Sequence, residues 1–258
     1  MELRLHSDTH LEGFIGCDAK ELADKFFPIG ANEFEQVLIL AGDICSVPEK
    51  TNLVFQHLSR RFKHIIYVPG NHEYYKSSIS EQNEKFKSLV GNFDNIIMPT
   101  DNQVGVSVID GVRFIYSTLW TDPFAEGFNP EEIEFYLADF RAIRDFSLDD
   151  MAEIHFNNKR DLFAESAKPF DGKTVIVTHH MPSFSLCHPR FGKTLNHGFA
   201  SNCEQILHSG NVDLWCFGHT HDFISTSIGK TQVRCNPTGY RGEWNRGFCG
   251  GSILICEV

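Results

Sequence analysis

Short runs of apolar residues recur along the chain, and each run ends in a polar or glycine-rich corner. The five clearest runs begin at residues 3, 37, 65, 174 and 213. Because their apolar residues are continuous rather than alternating, they are typical of strands that are covered on both faces. The pattern therefore predicts five buried strands within a layered α/β domain.

Helix-like stretches with recognisable starts separate these strands. Ser46–Glu49 has the pattern of a capping box, with a proline in the first turn. Ser78–Glu81 and Ser201–Glu204 are two further predicted helix starts, and Gly210 is a predicted stop after the last of them. The alternation of strand, corner and helix supports the layered α/β interpretation.

A second group of strand candidates has a different spacing. The segments VGVSVI and VRFIYS flank Asp110 and Gly111, a pair that favours a tight hairpin turn. QVRC and SILICEV follow near the end of the chain. Hairpin spacing beside the first group predicts mixed sheets rather than purely parallel ones.

Residues 121–168 form the one shift in composition, because they are polar, charged and helix-like. Asn129 and Ser147 begin two predicted helices within this segment. The sequence has no repeat, low-complexity tract or convincing linker. We therefore interpret residues 1–258 as a single domain, with 121–168 as an inserted, cap-like helical segment.

The composition is that of an ordinary globular protein. The chain has 258 residues, of which 41% are hydrophobic and 22% are charged. Its formal net charge of -11 opposes nonspecific attraction to nucleic acid or to an anionic membrane. The charge does not exclude a nucleotide ligand, since a bound cation can reverse the local field.

The eight cysteines are scattered, and none of them forms a Cys-x-x-Cys pair. The sequence shows no signal peptide at its start and no apolar run of the roughly 18 residues that a membrane span needs. We therefore expect a cytoplasmic protein in a reducing compartment, without a membrane partner. Its cysteines are then expected to be small buried hydrophobic residues.

Polar side chains follow each of the five apolar runs. They are, in chain order, Asp8 and His10, then Asp43, then Asn71, His72 and Glu73, then His179 and His180, and finally His219 and His221. In open α/β sheets, ligands bind beyond the carboxyl ends of the strands. We therefore expect the five corners to meet at one place.

Carboxylates, a carboxamide and imidazoles make a mixed oxygen and nitrogen ligand set. Such a set suits manganese, iron, zinc, cobalt or nickel rather than a thiolate site. Seven of the candidates are too many for one tetrahedral ion, but they fit two ions about 3.5 to 4 Å apart that share a carboxylate. Two such ions can acidify a bridging water to hydroxide, and the chemistry that fits best is hydrolysis of a phosphomonoester or phosphodiester.

These motifs, in this order, resemble those of the calcineurin-like metallophosphoesterase superfamily. The resemblance runs from Asp8 to His221 and continues into the segment CNPTGYRGE, which is similar to the tail of bacterial-type members. It implies an α/β fold in the form of a four-layer αββα sandwich of two mixed sheets flanked by helices. It also implies two divalent metal ions as cofactors, and we expect manganese.

The resemblance further implies a role for each motif residue. It implies that Asp8, His10 and His221 hold the first metal, that Asn71, His179 and His219 hold the second, and that Asp43 bridges the two. It places His72 opposite the phosphate, where this side chain would stabilise the transition state or protonate the leaving oxygen. Either histidine of the segment THHMP could be the ligand, and we choose His179 because it is nearer the strand end.

A few further residues are candidates for substrate contacts. Arg141 and Arg144 follow a predicted helix of the insertion and could recognise phosphate, although a solvated charged face is the simpler interpretation. His180 could act beside the metals or the substrate. The loop after the fourth corner adds weaker candidates, which are His188, Arg190 and Asn196.

The sequence thus predicts an enzyme, a metal-dependent phosphoesterase whose partner is a small phosphate ester. Two alternatives from other classes stay open. One is a catalytically silent metal-binding scaffold for protein partners, which usually requires lost ligands, and no ligand position departs from the pattern. The other is a nuclease that uses the same two metals. It would need a basic track, and the best candidates, SRRFKH and HPRFGK, are short.

Overall fold

The computed structural model describes residues 1–191, 195–243 and 254–258. Its strands β1 to β11 are, in chain order, Glu2–His6, Val37–Ala41, His64–Val68, Ile96–Ile97, Gly105–Ile109, Val112–Ser117, Lys173–Thr178, Leu214–Phe217, Ile224–Ile228, Thr231–Cys235 and Leu254–Glu257. Its helices α1 to α8 are Ala19–Phe26, Pro48–Leu58, Ile79–Val90, Pro130–Tyr136, Asp139–Ala142, Leu148–Ala167, Asn196–Phe199 and Glu204–Leu207. Short 3₁₀ turns lie at Leu11–Gly13, Glu33–Glu35, His72–Tyr74, Phe184–Leu186 and Pro189–Phe191.

The described strands form two sheets. The first has the order β11-β1-β2-β3-β4, in which β1 to β4 are parallel and β11 is antiparallel to β1. The second has the order β5-β6-β7-β8-β10-β9, in which the four central strands are parallel and both edge strands are antiparallel. Both sheets are therefore mixed, as the two groups of strand candidates predicted.

The two sheets pack face to face, and helices cover the outer face of each. In β2, Val37 and Ile39 pack between the sheets, whereas Leu38 and Leu40 pack outward against helices. In β7, Ile176 likewise faces the outer helical layer of the second sheet. A strand that is buried on both faces needs the continuous apolar residues seen in the sequence. The expected four-layer αββα sandwich is confirmed.

The polar segment 121–168 contributes to two places in this sandwich. Its long helix α6 packs against β6, and its Leu162 joins the apolar cluster on the outer face of the second sheet. Helices α4 and α5 instead lie over a separate apolar cluster that includes Trp120, Ile133 and Leu137. Helix α6 also supplies Met151 to this cluster, and the interpretation of 121–168 as a cap-like insertion stays a prediction. The interpretation of the whole chain as one domain stays a prediction.

Three predicted helix starts agree with the structure. The Ser78 side chain accepts a hydrogen bond from the first turn of α3, and the Asn129 side chain does the same for α4. Ser147 forms a reciprocal capping box with Asp150 at the start of α6. Each cap satisfies backbone N–H groups that have no partner inside the helix, which is why the sequence signal is local and readable.

Two other predicted caps are wrong, and in both a competing contact explains the difference. The backbone N–H of Ser46 donates to the Glu12 carboxylate, and α2 begins at Pro48 without a side-chain cap. The Ser201 hydroxyl donates to the backbone carbonyl of Trp120 instead of capping α8, whose first N–H, that of Glu204, donates to the Asn202 side chain at 3.3 Å. Both competing partners are distant in the sequence, and a local pattern does not contain them.

The described cysteines are free thiols and most of them are buried, as expected for small hydrophobic residues. Cys17 is exposed and Cys187 is half-buried, and Cys249 lies outside the described residues. None of the helices in the described ranges combines the length and the apolar composition needed to cross a bilayer.

A buried ionic network lies where β1 meets the outer helical layer. The Arg4 side chain is fully buried, and its Nη1 donates to Glu33 Oε1 at 2.5 Å. Arg61 donates to both oxygens of the same carboxylate, at 2.7 and 2.8 Å. Glu33 is thus the counter-ion of two guanidinium groups, at least one of which has no access to water.

We predict that Glu33→Ala lowers the free energy of unfolding by about 3 kcal/mol or more, because it leaves the Arg4 charge buried without a counter-ion. Urea denaturation of the purified protein would measure the loss. Lys20→Ala is the matched control, because it removes an exposed ion pair with Asp24 and should cost less than about 0.5 kcal/mol. Equal costs for the two variants would contradict the prediction.

Candidate metal centre

The five polar corners meet at the carboxyl ends of β1, β2, β3, β7 and β8, and backbone hydrogen bonds tie them to one another. Asp8 N donates to Gly42 O at 2.9 Å, and His10 N donates to Asp43 O at 3.0 Å. The last corner is joined in the same way, since His219 N donates to the Asp8 side chain at 2.9 Å. The corners therefore form one connected structure rather than five neighbouring loops.

Five of the seven predicted ligand residues have a left-handed backbone. Their φ angles are 54° at Asp8, 46° at His10, 54° at Asp43, 69° at His219 and 54° at His221. A non-glycine residue in this region costs roughly 1–2 kcal/mol. Strain of this kind persists only where the surroundings impose it, and it is concentrated at functional sites. Here it turns successive side chains toward one point.

Two glycines at these corners are required by close packing. A Cβ added to Gly42, whose φ is 87°, would lie 2.2 Å from His179 Nδ1. A Cβ added to Gly70 would lie 2.2 Å from Asp43 Oδ1. Neither position has room for a side chain, so the glycines allow the imidazole and the carboxylate to approach the backbone.

One group of side chains turns three acceptor atoms toward each other. His179 Nδ1 lies 2.9 Å from Ala41 O and His219 Nε2 lies 3.2 Å from Gly198 O, so these nitrogens carry the protons. The opposite nitrogens, His179 Nε2 and His219 Nδ1, are then acceptors, and they are 3.0 Å apart. Asn71 Oδ1 lies 3.0 Å from the same His179 Nε2.

The orientation of Asn71 follows from its other contacts. Its amide Nδ2 donates to Asp139 Oδ1 at 2.7 Å, which leaves Oδ1 facing the imidazoles. Asp43 adds a carboxylate oxygen 3.6 Å from His179 Nε2. Four acceptors thus converge without a proton between them, an arrangement that is repulsive unless a cation lies among them.

A second group repeats the arrangement on the other side of Asp43. His10 Nδ1 lies 3.3 Å from a Glu12 oxygen, and His221 Nδ1 lies 2.7 Å from a Glu243 oxygen. Because carboxylates only accept, these nitrogens carry the protons, and the two Nε2 acceptors face each other at 3.0 Å. The pairing of each imidazole with a carboxylate is the arrangement that orients metal-ligating histidines.

The carboxylates around this second group complete the set of acceptors. Asp8 Oδ1 lies 3.6 Å from His221 Nε2, and Asp8 Oδ2 is buried without a hydrogen-bond partner. Asp43 Oδ2 lies 3.9 Å from His10 Nε2. The two oxygens of Asp43 therefore face the two groups, one each. These oxygen and nitrogen atoms, which accept hydrogen bonds, are also suitable ligands for divalent cations.

The electrostatics of the site also favour cations. Burial, and then the charges of Glu73 and Asp8, raise the pKa of Asp43 well above its usual range. Burial lowers the pKa of His10 to about 4 and lowers the pKa of His179 well below its usual value. These two imidazoles are therefore neutral near pH 7, which is the form that binds a metal.

His221 differs from the other imidazoles of the site. Burial acts to lower its pKa, but the hydrogen bond to Glu243 and the charge of Asp8 together raise it. The neighbouring carboxylates therefore make His221 easier to protonate than an ordinary imidazole. A metal that binds there competes with a proton for Nε2.

His72 lies at the edge of the centre rather than inside it. Its backbone N–H donates to Asp43 Oδ1 at 2.9 Å, while its Nε2 lies 4.0 Å from Asp43 Oδ2. Its ring is stacked on Tyr75 with 4.1 Å between the ring centroids. This position leaves the imidazole facing the open cleft above the acceptor groups.

Glu73, to which the sequence assigned no role, holds two of the corners together. Its Oε2 accepts from Gly70 N at 2.7 Å and from Asp43 N at 2.9 Å. Its Oε1 accepts from Ile44 N at 2.7 Å and from Cys45 N at 3.2 Å. One buried carboxylate thus joins the turn after β2 to the turn after β3.

The centre opens into a cleft of about 410 Å³. Its lining includes the aromatic residues Tyr75, Tyr136, Phe199 and Tyr240, the cation Arg190, and Asp139 and Glu243. Arg190 was a weaker candidate from the sequence. The aromatic residues and the two acids were missed, because their positions depend on loops far apart in the sequence. Tyr240 and Glu243 did carry a signal, since both lie within the segment CNPTGYRGE.

The other candidates for substrate contacts lie away from the cleft in this fold. His180 is fully buried, with its ring 4.3 Å from that of His219. Arg141 donates to Phe135 O, and Arg144 pairs with Glu81 at 2.5 Å. As folded, none of these three side chains lines the cleft, because each is held by neighbours elsewhere.

Comparison with known proteins identifies a family and two similar proteins. A family model described as calcineurin-like phosphoesterase matches residues 5–223. An uncharacterized protein of Acanthamoeba polyphaga mimivirus is 28% identical over 266 residues, which cover 94% of this chain and 92% of that protein. The solved structure of a phosphopantetheinyl hydrolase from Mycobacterium tuberculosis is 20% identical, with a TM-score of 0.72 and coverage of 98% of this chain and 95% of the other. At this identity, the likeness to the solved structure shows the fold.

We predict that Glu73→Gln lowers the free energy of unfolding of the metal-free protein by about 2 to 3 kcal/mol. The amide group would place its NH₂ against two backbone N–H donors, whichever way it turns. Urea denaturation would measure the change, with Glu84→Gln on the exposed face of α3 as the control. A loss below about 0.5 kcal/mol would show that the four hydrogen bonds are not what stabilises these corners.

Proposed function

The chain belongs to the calcineurin-like phosphoesterase family, and we propose that it hydrolyses a small phosphate ester with two divalent metal ions. Family membership makes it a metal-dependent phosphoesterase, a hydrolase of phosphate esters. The observation that carries the finer proposal is the convergence of unprotonated acceptor atoms in two groups on either side of Asp43. Each group has the composition of a ligand set, and each contains one oxygen of that carboxylate.

The proposed ligand sets follow these two groups. We propose that Asp8, His10 and His221 hold one ion, that Asn71, His179 and His219 hold the other, and that Asp43 bridges them. The short distances between acceptors, 3.0 Å in both groups, support the assignment. Two acceptor atoms at this distance repel each other when nothing lies between them. The same distance is ordinary for two atoms that coordinate one ion.

Two ions bound there would supply Lewis acidity toward the phosphoryl oxygens and an activated water as the nucleophile. The chain's own residues would fix the geometry. Glu12 and Glu243 hold the protons of His10 and His221 on Nδ1, so that each Nε2 stays a ligand. Asp139 accepts from the Asn71 amide nitrogen, so that the amide oxygen stays a ligand.

His72 is the proposed catalytic residue that is not a ligand. It lines the cleft beside Asp43, and because its Nε2 lies 4.0 Å from Asp43 Oδ2, beside His10, a ligand role is the alternative to the catalytic one. From there its imidazole can donate a hydrogen bond to a phosphoryl oxygen or a proton to the leaving oxygen. Either action would lower the barrier without changing how tightly the metals are held.

The cleft supports a small substrate. Its volume of about 410 Å³ suits a compact ester, and its aromatic walls offer stacking surfaces beside Arg190. This guanidinium pairs with Asp222 at 2.7 Å and would exchange that partner for a phosphate. Acidic groups such as Asp139 and Glu243 in the lining oppose a nucleic-acid track. The nuclease alternative therefore gains no support. The scaffold alternative gains none either, because none of the seven proposed ligand residues is missing from the sequence.

We predict that Asp43→Ala loses metal binding and activity together. Metal-stripped protein would be resupplied with Mn²⁺ and assayed on p-nitrophenyl phosphate and bis-p-nitrophenyl phosphate, while calorimetry counts the bound ions. The parent should bind about two ions per chain, and the variant one or none, because both sites lose a ligand. Asp110→Ala, which removes an exposed carboxylate paired with Lys63, is the control.

The rates on the two esters show whether the enzyme prefers a phosphomonoester or a phosphodiester. A phosphopantetheinyl ester can be added as a third substrate. Full metal binding without turnover of any ester would favour the scaffold. Unchanged metal content in Asp43→Ala would exclude the bridging role. Manganese as the native metal and a cytoplasmic location stay predictions from the sequence.

We predict that His72→Ala keeps both metals while kcat falls by about a hundredfold or more, the usual contribution of a general acid or a charge-stabilising donor. Calorimetry with Mn²⁺ and steady-state kinetics would be run on the same preparations. His208→Ala, which removes an exposed imidazole from the end of α8, is the control. Turnover at the parent rate would show that His72 does not act in the reaction.

A further inference from the structure

The His72 imidazole has a polar partner at each of its nitrogens. On one side, Nδ1 lies 3.5 Å from Glu12 Oε1, the same oxygen that accepts from His10. On the other side, Nε2 lies 2.9 Å from the hydroxyl of Tyr240. The ring is therefore held at both ends by groups that are 228 residues apart in the sequence.

The Tyr240 contact can form in both protonation states of the ring. In the neutral ring, Nδ1–H points at the Glu12 carboxylate and Nε2 accepts from the hydroxyl. In the imidazolium, Nε2–H donates to the oxygen of the same hydroxyl, because a phenol both donates and accepts. The hydroxyl therefore fixes the orientation of the ring without requiring a particular charge.

Tyr240 is itself fixed by the centre. Its ring is stacked on His10 with 4.3 Å between centroids, and it meets the edge of His221 at 4.7 Å. Its backbone N–H donates to Glu243 at 2.8 Å, and the preceding Gly239 N donates to Asp8 O at 2.8 Å. The position of the hydroxyl is thus determined by the same residues that form the acceptor groups.

We propose that Tyr240 is a positioning residue, which holds the His72 imidazole above the metal centre through the hydrogen bond between its hydroxyl and Nε2. The proposal rests on the proposed function, since it assigns Tyr240 a part in how His72 acts. His72 lies in a 3₁₀ turn at the rim of the cleft, its side chain is 16% exposed, and the Tyr240 hydroxyl is the hydrogen-bond partner of its Nε2. A group that must be placed within a fraction of an ångström needs a partner that fixes its orientation.

The test begins with Tyr240→Phe, which keeps the ring on His10 and removes only the hydroxyl. We expect kcat to fall about tenfold, with KM changed by less than about twofold and the number of bound Mn²⁺ ions unchanged. Tyr116→Phe is the matched control, because it also loses a 2.9 Å hydroxyl contact, with Ser107 on the neighbouring strand. A similar loss of kcat in both variants, or a change confined to KM, would overturn the proposal.

A double-mutant cycle shows whether Tyr240 acts through His72. In a His72→Ala background, Tyr240→Phe should reduce kcat by less than about twofold, because the residue that it positions is gone. If the two losses multiply instead, Tyr240 acts independently of His72, and the positioning role is wrong.

A measurement that needs neither metal nor substrate tests the role of Tyr240 independently of the proposed function. In ¹⁵N spectra of the metal-free protein, at a pH where the imidazoles are neutral, His72 should be the Nδ1–H tautomer. Its signals can be assigned with the His72→Ala variant. Tyr240→Phe should shift these signals toward a mixture of tautomers, and unchanged signals would overturn the proposal. If the parent protein shows no metal-dependent turnover, the function fails, while the spectra still decide whether Tyr240 holds the ring.

Discussion

The structure depends on an electrostatic constraint at the ends of five strands, where acceptor atoms face each other with no hydrogen between them. The imidazoles cannot relieve this by changing tautomer, because carboxylates or backbone carbonyls already take the protons on their other nitrogens. The repulsion is removed only if one of the facing acceptor atoms is protonated or if a cation lies between them. The surrounding fold therefore has to be stiff enough to keep the acceptors together before a cation arrives.

Several features of the fold supply this stiffness. The left-handed backbone at the corners has its cost offset by the core of the sandwich, in which both sheets are buried on both faces. Glu73 joins two corners through four backbone hydrogen bonds, and Gly42 and Gly70 let the corners close on each other. The centre is thus built mainly from backbone positions and only secondarily from side chains.

Much of this was readable in the sequence, and the reason is local. A buried strand is recognisable by its continuous apolar residues. The polar residues of the site directly follow these strands, so the corners could be found from the sequence alone. The orienting groups could not. Asp139 and Glu243 contact their partners 68 and 22 residues away. Glu12 lies only two residues from His10, but no motif marks it as the partner of that imidazole. The wrong helix cap at Ser46 has the same origin, because Glu12 takes its backbone N–H.

The contact between Asp139 and Asn71 has a consequence for how such a protein can diverge. Asp139 belongs to α5, within the segment that also supplies Tyr136 and Leu137 to the wall of the cleft. A change of that wall by insertion, deletion or exchange of the segment would also release the amide whose oxygen faces His179. If Asn71 is a metal ligand, as we propose, such a change would alter the specificity and the metal affinity together. A graft that transplants the wall between relatives must carry the carboxylate with it.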